Sequence, residues 1–137
     1  MPKQKPTWSE KLASCKAPEV KVLNITFGGI PEGSRMLIAS PKVIDAYVRA
    51  VPEGKAVNPT VLRRDLAHGH DADATCPVTT GIFLRIVAEA ALEQLAAGKS
   101  EEGVTPFWRI VEPKSPLAKK LSCGPEFIQK LREKEGL

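Results

Sequence analysis

No stretch of this 137-residue chain comes near the roughly 18–20 consecutive apolar residues that a membrane helix requires. The opening MPKQKPTWSEKLASCK has no apolar centre, so it does not read as a secretory signal. Cysteine is scarce. Three cysteines cannot all pair within one chain, and without an export signal they read as free thiols in a reducing cytoplasm. Neither charge sign dominates: the formal net charge of +4 and a pI near 9.1 permit a polyanionic partner without demanding one. No internal repeat or low-complexity tract is present. Hydrophobic residues at 42% and charged residues at 26% exclude disorder, collagen and coiled coil, and leave one domain-sized globular chain.

Residues 1–35 read as an N-terminal arm. Pro2, Pro6 and Pro18 punctuate it, and Lys3, Lys5, Lys11, Lys16 and Lys21 against Glu10 and Glu19 make its start basic. Thr7 or Ser9 is placed to cap a short helix reaching about Lys16, Trp8 is the expected anchor, and Gly28-Gly29 to Gly33 is a loop. Residues 36–137 form the body. Met36-Leu37-Ile38 suggests a short strand. Ser40 before Pro41 and Asn58 before Pro59 each combine a capping side chain with a proline whose missing N–H costs nothing at the first helical position. The first of these helices carries Val43, Ile44, Tyr47, Val48 and Val51 at helical spacing, and the second Val61, Leu62, Leu66 and Ala67. Gly69 closes the second.

A third, longer helix is expected over 77–97, with Ile82, Phe83, Ile86, Val87, Ala90, Ala91 and Leu95 inward and Arg85, Glu89 and Glu93 outward. Phe107 to Val111 is rich in aromatic and branched residues and reads as a strand. Pro113, Ser115 and Pro116 make the next segment a loop or hairpin wing, before a terminal helix over 125–135 with Phe127, Ile128 and Leu131 buried. The expected class is mostly α with a small β element. Two short helices leading to a longer one, then a strand and a wing, is the order of a winged helix-turn-helix domain.

Three stretches carry a resemblance: Val51-Pro52-Glu53-Gly54-Lys55, Thr105-Pro106-Phe107-Trp108-Arg109-Ile110-Val111, and Leu131-Arg132-Glu133-Lys134-Glu135-Gly136. In order and spacing over roughly 36–137 they resemble the DNA-binding domain of the 6-O-alkylguanine-DNA alkyltransferases. Thr75-Cys76-Pro77-Val78-Thr79-Thr80-Gly81-Ile82-Phe83 is similar to a small bacterial subgroup of that superfamily. The resemblance places Phe107 where the family has its alkyl-accepting cysteine, and Phe107 has no nucleophilic atom. Trp108 stands at the position of the family's proton-relaying histidine, Arg109 matches its arginine, and Glu135 matches the glutamate that completes the relay. The pocket loop is reduced to Cys123-Gly124-Pro125, and Thr79, Thr80 and Gly81 lie where the family carries the arginine that fills the hole left by a flipped base. The pattern thus resembles the alkyltransferase-like proteins, which bind alkylated guanine in DNA without chemistry and flag it for excision repair.

Several residues fit such an interface on physical grounds. Thr79, Thr80 and Gly81 at a helix start offer N–H groups and hydroxyls to a phosphate, and Arg85 comes one turn later. Lys114, Lys119 and Lys120 lie in the expected wing. Phe107, Trp108, Arg109 and Glu135 are the expected surroundings of an extruded base. Glu89 and Glu93, read as outward, repel phosphate and favour a second reading: a protein-interaction or structural module that no longer binds DNA. A third reading makes Cys76, at a helix start, an alkyl acceptor. His68, His70, Asp71 and Asp73 cluster without a standard zinc spacing, and Asp71 or Asp73 reads better as a turn or capping residue. The expected partner is double-stranded DNA, with repair proteins beside it, in the cytoplasm and on the nucleoid in a bacterium. No cofactor, metal or membrane is expected.

Overall fold

A computed structural model describes residues 6–137; Pro2, Lys3 and Lys5 lie outside the described residues. Among the described residues are six α-helices and a small sheet, in the order α1 (Trp8–Ala13), β1 (Glu19–Val22), β2 (Arg35–Ile38), α2 (Pro41–Ala50), α3 (Pro59–Gly69), β3 (Ala74–Thr75), α4 (Pro77–Ala96), α5 (Pro116–Lys120) and α6 (Gly124–Lys134). The protein is therefore mostly helical with a small β element. β2 is central, antiparallel to β1 and parallel to β3. Residues 1–35 thus contribute a strand to the sheet as well as a helix.

The proline-led helix starts form as their chemistry dictates. Ser40 Oγ accepts from Val43 N at 3.2 Å, and Asn58 Oδ1 accepts from Val61 N at 2.9 Å. Thr7 caps α1 in the same way, though α1 ends at Ala13, short of Lys16. Ile44, Val48, Leu62 and Leu66 from α2 and α3 meet Leu84 and Val87 of α4 in one core that continues into Phe107, Ile110, Ile128 and Leu131. The Tyr47 hydroxyl donates to Asp65 Oδ2 at 2.6 Å and joins α2 to α3; burial, then the adjacent carboxylate, push this phenol up to about 12.

Two expectations fail in the C-terminal half. Phe107–Arg109 is a 3-10 turn and no strand: Ile110 N and Val111 N both donate to Phe107 O, at 3.0 and 2.9 Å. The loop or hairpin wing expected from Pro113, Ser115 and Pro116 onward holds instead the short helix α5, capped by Ser115 Oγ on Ala118 N. The aromatic and branched residues that suggest a strand are buried on several sides at once (Phe107, Trp108, Ile110 and Val111 are all in the core), so tertiary packing overrides β-propensity.

The face of α4 also differs from expectation. Helical spacing points Ile82 inward, yet it is 54% exposed, while Leu84 and Ala88 are buried. The two outward glutamates are likewise corrected. Glu89 is buried and accepts from Ser122 N at 3.0 Å and Ser122 Oγ at 2.7 Å, ahead of α6. Glu93 accepts from Ser9 N at 2.8 Å, Trp8 N at 3.1 Å and the Ser9 hydroxyl, which fixes the first turn of α1 against α4. Burial raises the Glu93 pKa, but these hydrogen bonds outweigh it and hold the carboxyl below its ordinary value. α4 presents no acidic solvent face there, because both carboxylates serve as caps for neighbouring elements.

Candidate nucleic-acid interface

The residues matched to the alkyltransferase motif are drawn together by the fold. Phe107 is fully buried and Trp108 nearly so, their rings meeting edge to face with centroids 5.4 Å apart. Glu135, at the end of α6, lies at the centre of a polar knot. Arg109 Nε donates to Glu135 Oε1 at 2.8 Å and Arg109 Nη2 to Oε2 at 3.2 Å, a two-pronged pair. Gly54 N donates to Glu135 Oε1 at 3.1 Å, and the Trp108 indole N–H donates to Oε2. Arg109 Nη1 reaches Val51 O at 2.7 Å, and Arg132 Nη1 reaches Trp108 O at 2.8 Å. Burial alone raises the Glu135 pKa; the donors of Arg109, Trp108 and Gly54 reverse this and hold it below the usual carboxylate value.

The knot ties the Val51–Gly54 turn, the 107–109 turn and the end of α6 into one unit. The space beside it is a small cavity of about 220 Å³ whose walls include Glu53, Glu101, Glu102 and Glu135. Arg109 and Lys134 line it too and pair with Glu135 and Glu101, so Glu53 and Glu102 are its two carboxylates outside those ion pairs. Of the four residues expected beside a base, Phe107 is packed in the core, and Trp108, Arg109 and Glu135 line this small cavity.

The room lies on another side. A cavity of about 470 Å³ opens between the start of α3 (Asn58, Pro59 and Arg63), the first turns of α4 (Pro77, Thr80, Gly81 and Leu84) and the segment Val111–Leu117. The leading end of α4 beside it is open: Val78 is 55% exposed, Ile82 54%, and Gly81 is exposed too. A Cβ built on Gly81 would meet nothing within 4 Å. Val78, Gly81 and Ile82 make an exposed i, i+3, i+4 row on one helical stripe, and Arg85, at i+7, lies half-buried over the Trp8 ring. The arm flanks this end on two sides: Trp8 and Lys11 of α1 border a groove along Val78 and Ile82, and Gly28, in the left-handed region at φ +58°, sits where a Cβ would come within 3.1 Å of Pro77.

The individual site residues fare unevenly. Thr80 is buried and its hydroxyl donates to Cys76 O at 2.7 Å, so it is a packing residue and not a phosphate donor. The Thr79 hydroxyl turns to the same carbonyl at 3.5 Å. Gly81 and Arg85 line open space. Lys114, Lys119 and Lys120 are exposed or nearly so, and Lys120 lines a groove beside α4. Sequence reasoning misses two cations: Arg63, in the wall of the 470 Å³ cavity, and Arg64, whose side chain is largely exposed next to it in the chain. Their signal is the Arg63-Arg64 pair on a helix whose apolar stripe points the other way.

Cys76 is 3% exposed, packed with Ile30 and Met36, and its N–H donates to Leu37 O. Cys15 and Cys123 are half-buried. Iodoacetamide under native conditions is expected to label Cys15 and Cys123 well before Cys76, as read by intact mass and peptide mapping; rapid alkylation of Cys76 would contradict its burial. Asp73 Oδ2 accepts from Arg35 N at 2.8 Å and Asp71 occupies a turn at φ +52°. Among the described residues no group of three or more histidine, cysteine or acidic side chains is arranged to hold a metal, and no helix is long and apolar enough to cross a membrane. No family model, no curated protein and no solved structure matches this chain.

Proposed function

We propose that this protein is a non-enzymatic binder of double-stranded DNA, of the alkyltransferase-like kind, with α3 and α4 as its helix-turn-helix and α5 in place of a wing. The observation that carries the reading is the open leading end of α4 with a 470 Å³ cavity against it. The cavity has room for one extruded base, and Arg63 stands in its wall to meet a phosphate. Exposed Val78 and Ile82 supply apolar contact to sugars or thymine methyls in a groove. Glu89 and Glu93 are turned to Ser122 and to the first turn of α1, away from the open leading end of α4, so the acidic outer face that favours a module without DNA is not formed there. The buried Phe107 at the family's acceptor position supports binding without alkyl transfer.

A gel shift at low salt with plain and O-alkylguanine-containing duplexes of one sequence tests this. A shift with both, tighter for the modified duplex, is expected. No shift with either duplex removes the reading and leaves a protein-interaction role. An intact mass unchanged after incubation with the alkylated duplex is the expected sign that no group is transferred, whereas a gain of the alkyl mass would show an enzyme.

A further inference from the structure

A second groove, of about 590 Å³, runs on the opposite side of the exposed α4 stripe, between α1, α4 and α5. Val78, Ile82 and Leu117 give it an apolar floor, and Lys11, Arg85 and Lys120 are its charged residues; no carboxylate lines it. Lys11 Nζ lies 4.2 Å from the centroid of the Trp8 ring and the Arg85 guanidinium carbon 5.3 Å from it, so two cations share one aromatic surface. Among the described residues none of the three cations is in an ion pair. Glu93, which feels the charge of Lys11, is already engaged by the first turn of α1. Arg85 Nε is shielded from solvent and carries no hydrogen bond. Three like charges gathered round one groove repel one another, and an anion that occupies the groove relieves that cost.

We infer that this groove takes backbone phosphate of the bound strand, which makes the arm helix α1 part of the binding surface. The phosphodiester is implied by continuity: Gly81, Pro116 and Leu117 line both this groove and the base cavity, so a strand with a base in one lays its flanking phosphates in the other. This rests on the DNA-binding reading above. Glu93 is then a positioning residue, because its grip on Ser9 holds Lys11 and Trp8 at the groove.

The test is the salt dependence of binding to a fluorescent 20-base-pair duplex by wild type, Lys11→Gln/Lys120→Gln and Lys134→Gln. Both groove lysines donate no side-chain hydrogen bond among the described residues and neither is buried, so the double variant is expected to fold. Each lost phosphate contact lowers the slope of log affinity against log salt by about 0.9. The double variant should therefore show a slope shallower by about 1.8, and Lys134→Gln, from the Glu101 pair beside the acidic cavity, an unchanged one. Wild-type binding with an unaltered slope in the double variant overturns the inference and leaves the DNA reading standing. If wild type binds no duplex, that reading fails, and the Trp8 indole N–H resonance under tripolyphosphate titration decides the groove alone. A saturable shift that is absent from the double variant supports an anion site there, and no shift overturns it.

Discussion

Glu135→Ala is expected to lower stability by about 3–5 kcal/mol in urea denaturation at pH 7, the range for breaking a buried ion pair by removing one partner. The side chains of Arg109 and Glu135 are 14% and 8% exposed, so water does not replace what is lost. The substitution strands the Arg109 guanidinium and also orphans the Trp108 indole N–H and the Gly54 N–H. Glu135→Gln should cost less, since it keeps an acceptor but not the charge. The folded-state pKa of Glu135 is depressed, so its contribution is fully present above the unfolded carboxylate value of about 4.3 and fades as the pH falls through the lower folded value. The gap between wild type and Glu135→Gln should therefore shrink in acid. Duplex affinity of the folded Glu135→Gln protein should match wild type. A stability unchanged by Glu135→Ala would show that the knot is not what holds the C-terminal segment.

The largest expected effect on binding is at Gly81. Gly81→Glu projects a carboxylate between the two cavities at the exposed helix end, where a bound strand would present phosphate. Duplex binding is expected to weaken at least 30-fold, or about 2 kcal/mol. The fold should survive, because a Cβ there meets nothing within 4 Å and the backbone is helical. Gly81→Ala is the control: replacing glycine in a helix interior should stabilise the protein by about 0.5–1 kcal/mol and leave the duplex room to bind. Thermal melts and anisotropy titrations on the two variants separate stability from binding. A Gly81→Glu protein that binds as wild type does would place the interface elsewhere.

Local chemistry makes part of the fold legible. Ser40-Pro41 and Asn58-Pro59 announce α2 and α3 to the residue, because a capping oxygen and a proline at the first helical position are interactions within four residues. The inward face of α4 is not legible. Val78, Ile82, Phe83, Leu84, Ile86 and Val87 surround the helix on every side, so periodicity does not select a direction, and the stripe that stays exposed is set by α1 and α5. The roles of Glu89 and Glu93 depend on partners more than 30 and more than 80 residues away in sequence, beyond any spacing rule. The motif around Phe107 is legible as a cluster with Glu135, and the fold does join those residues. What the sequence does not disclose is that Phe107 is buried in the core, that the cavity beside Trp108 is small, and that a larger one lies a few residues further on, along Val111–Leu117.

The most direct measurement is a ¹H–¹⁵N spectrum of the full chain titrated with an unmodified duplex at low salt. The amides of Val78, Gly81 and Ile82 should move and saturate together while the Trp108 indole resonance stays in place. Movement centred on Trp108, Glu101 and Lys134 with a silent α4, or no movement anywhere, would contradict it.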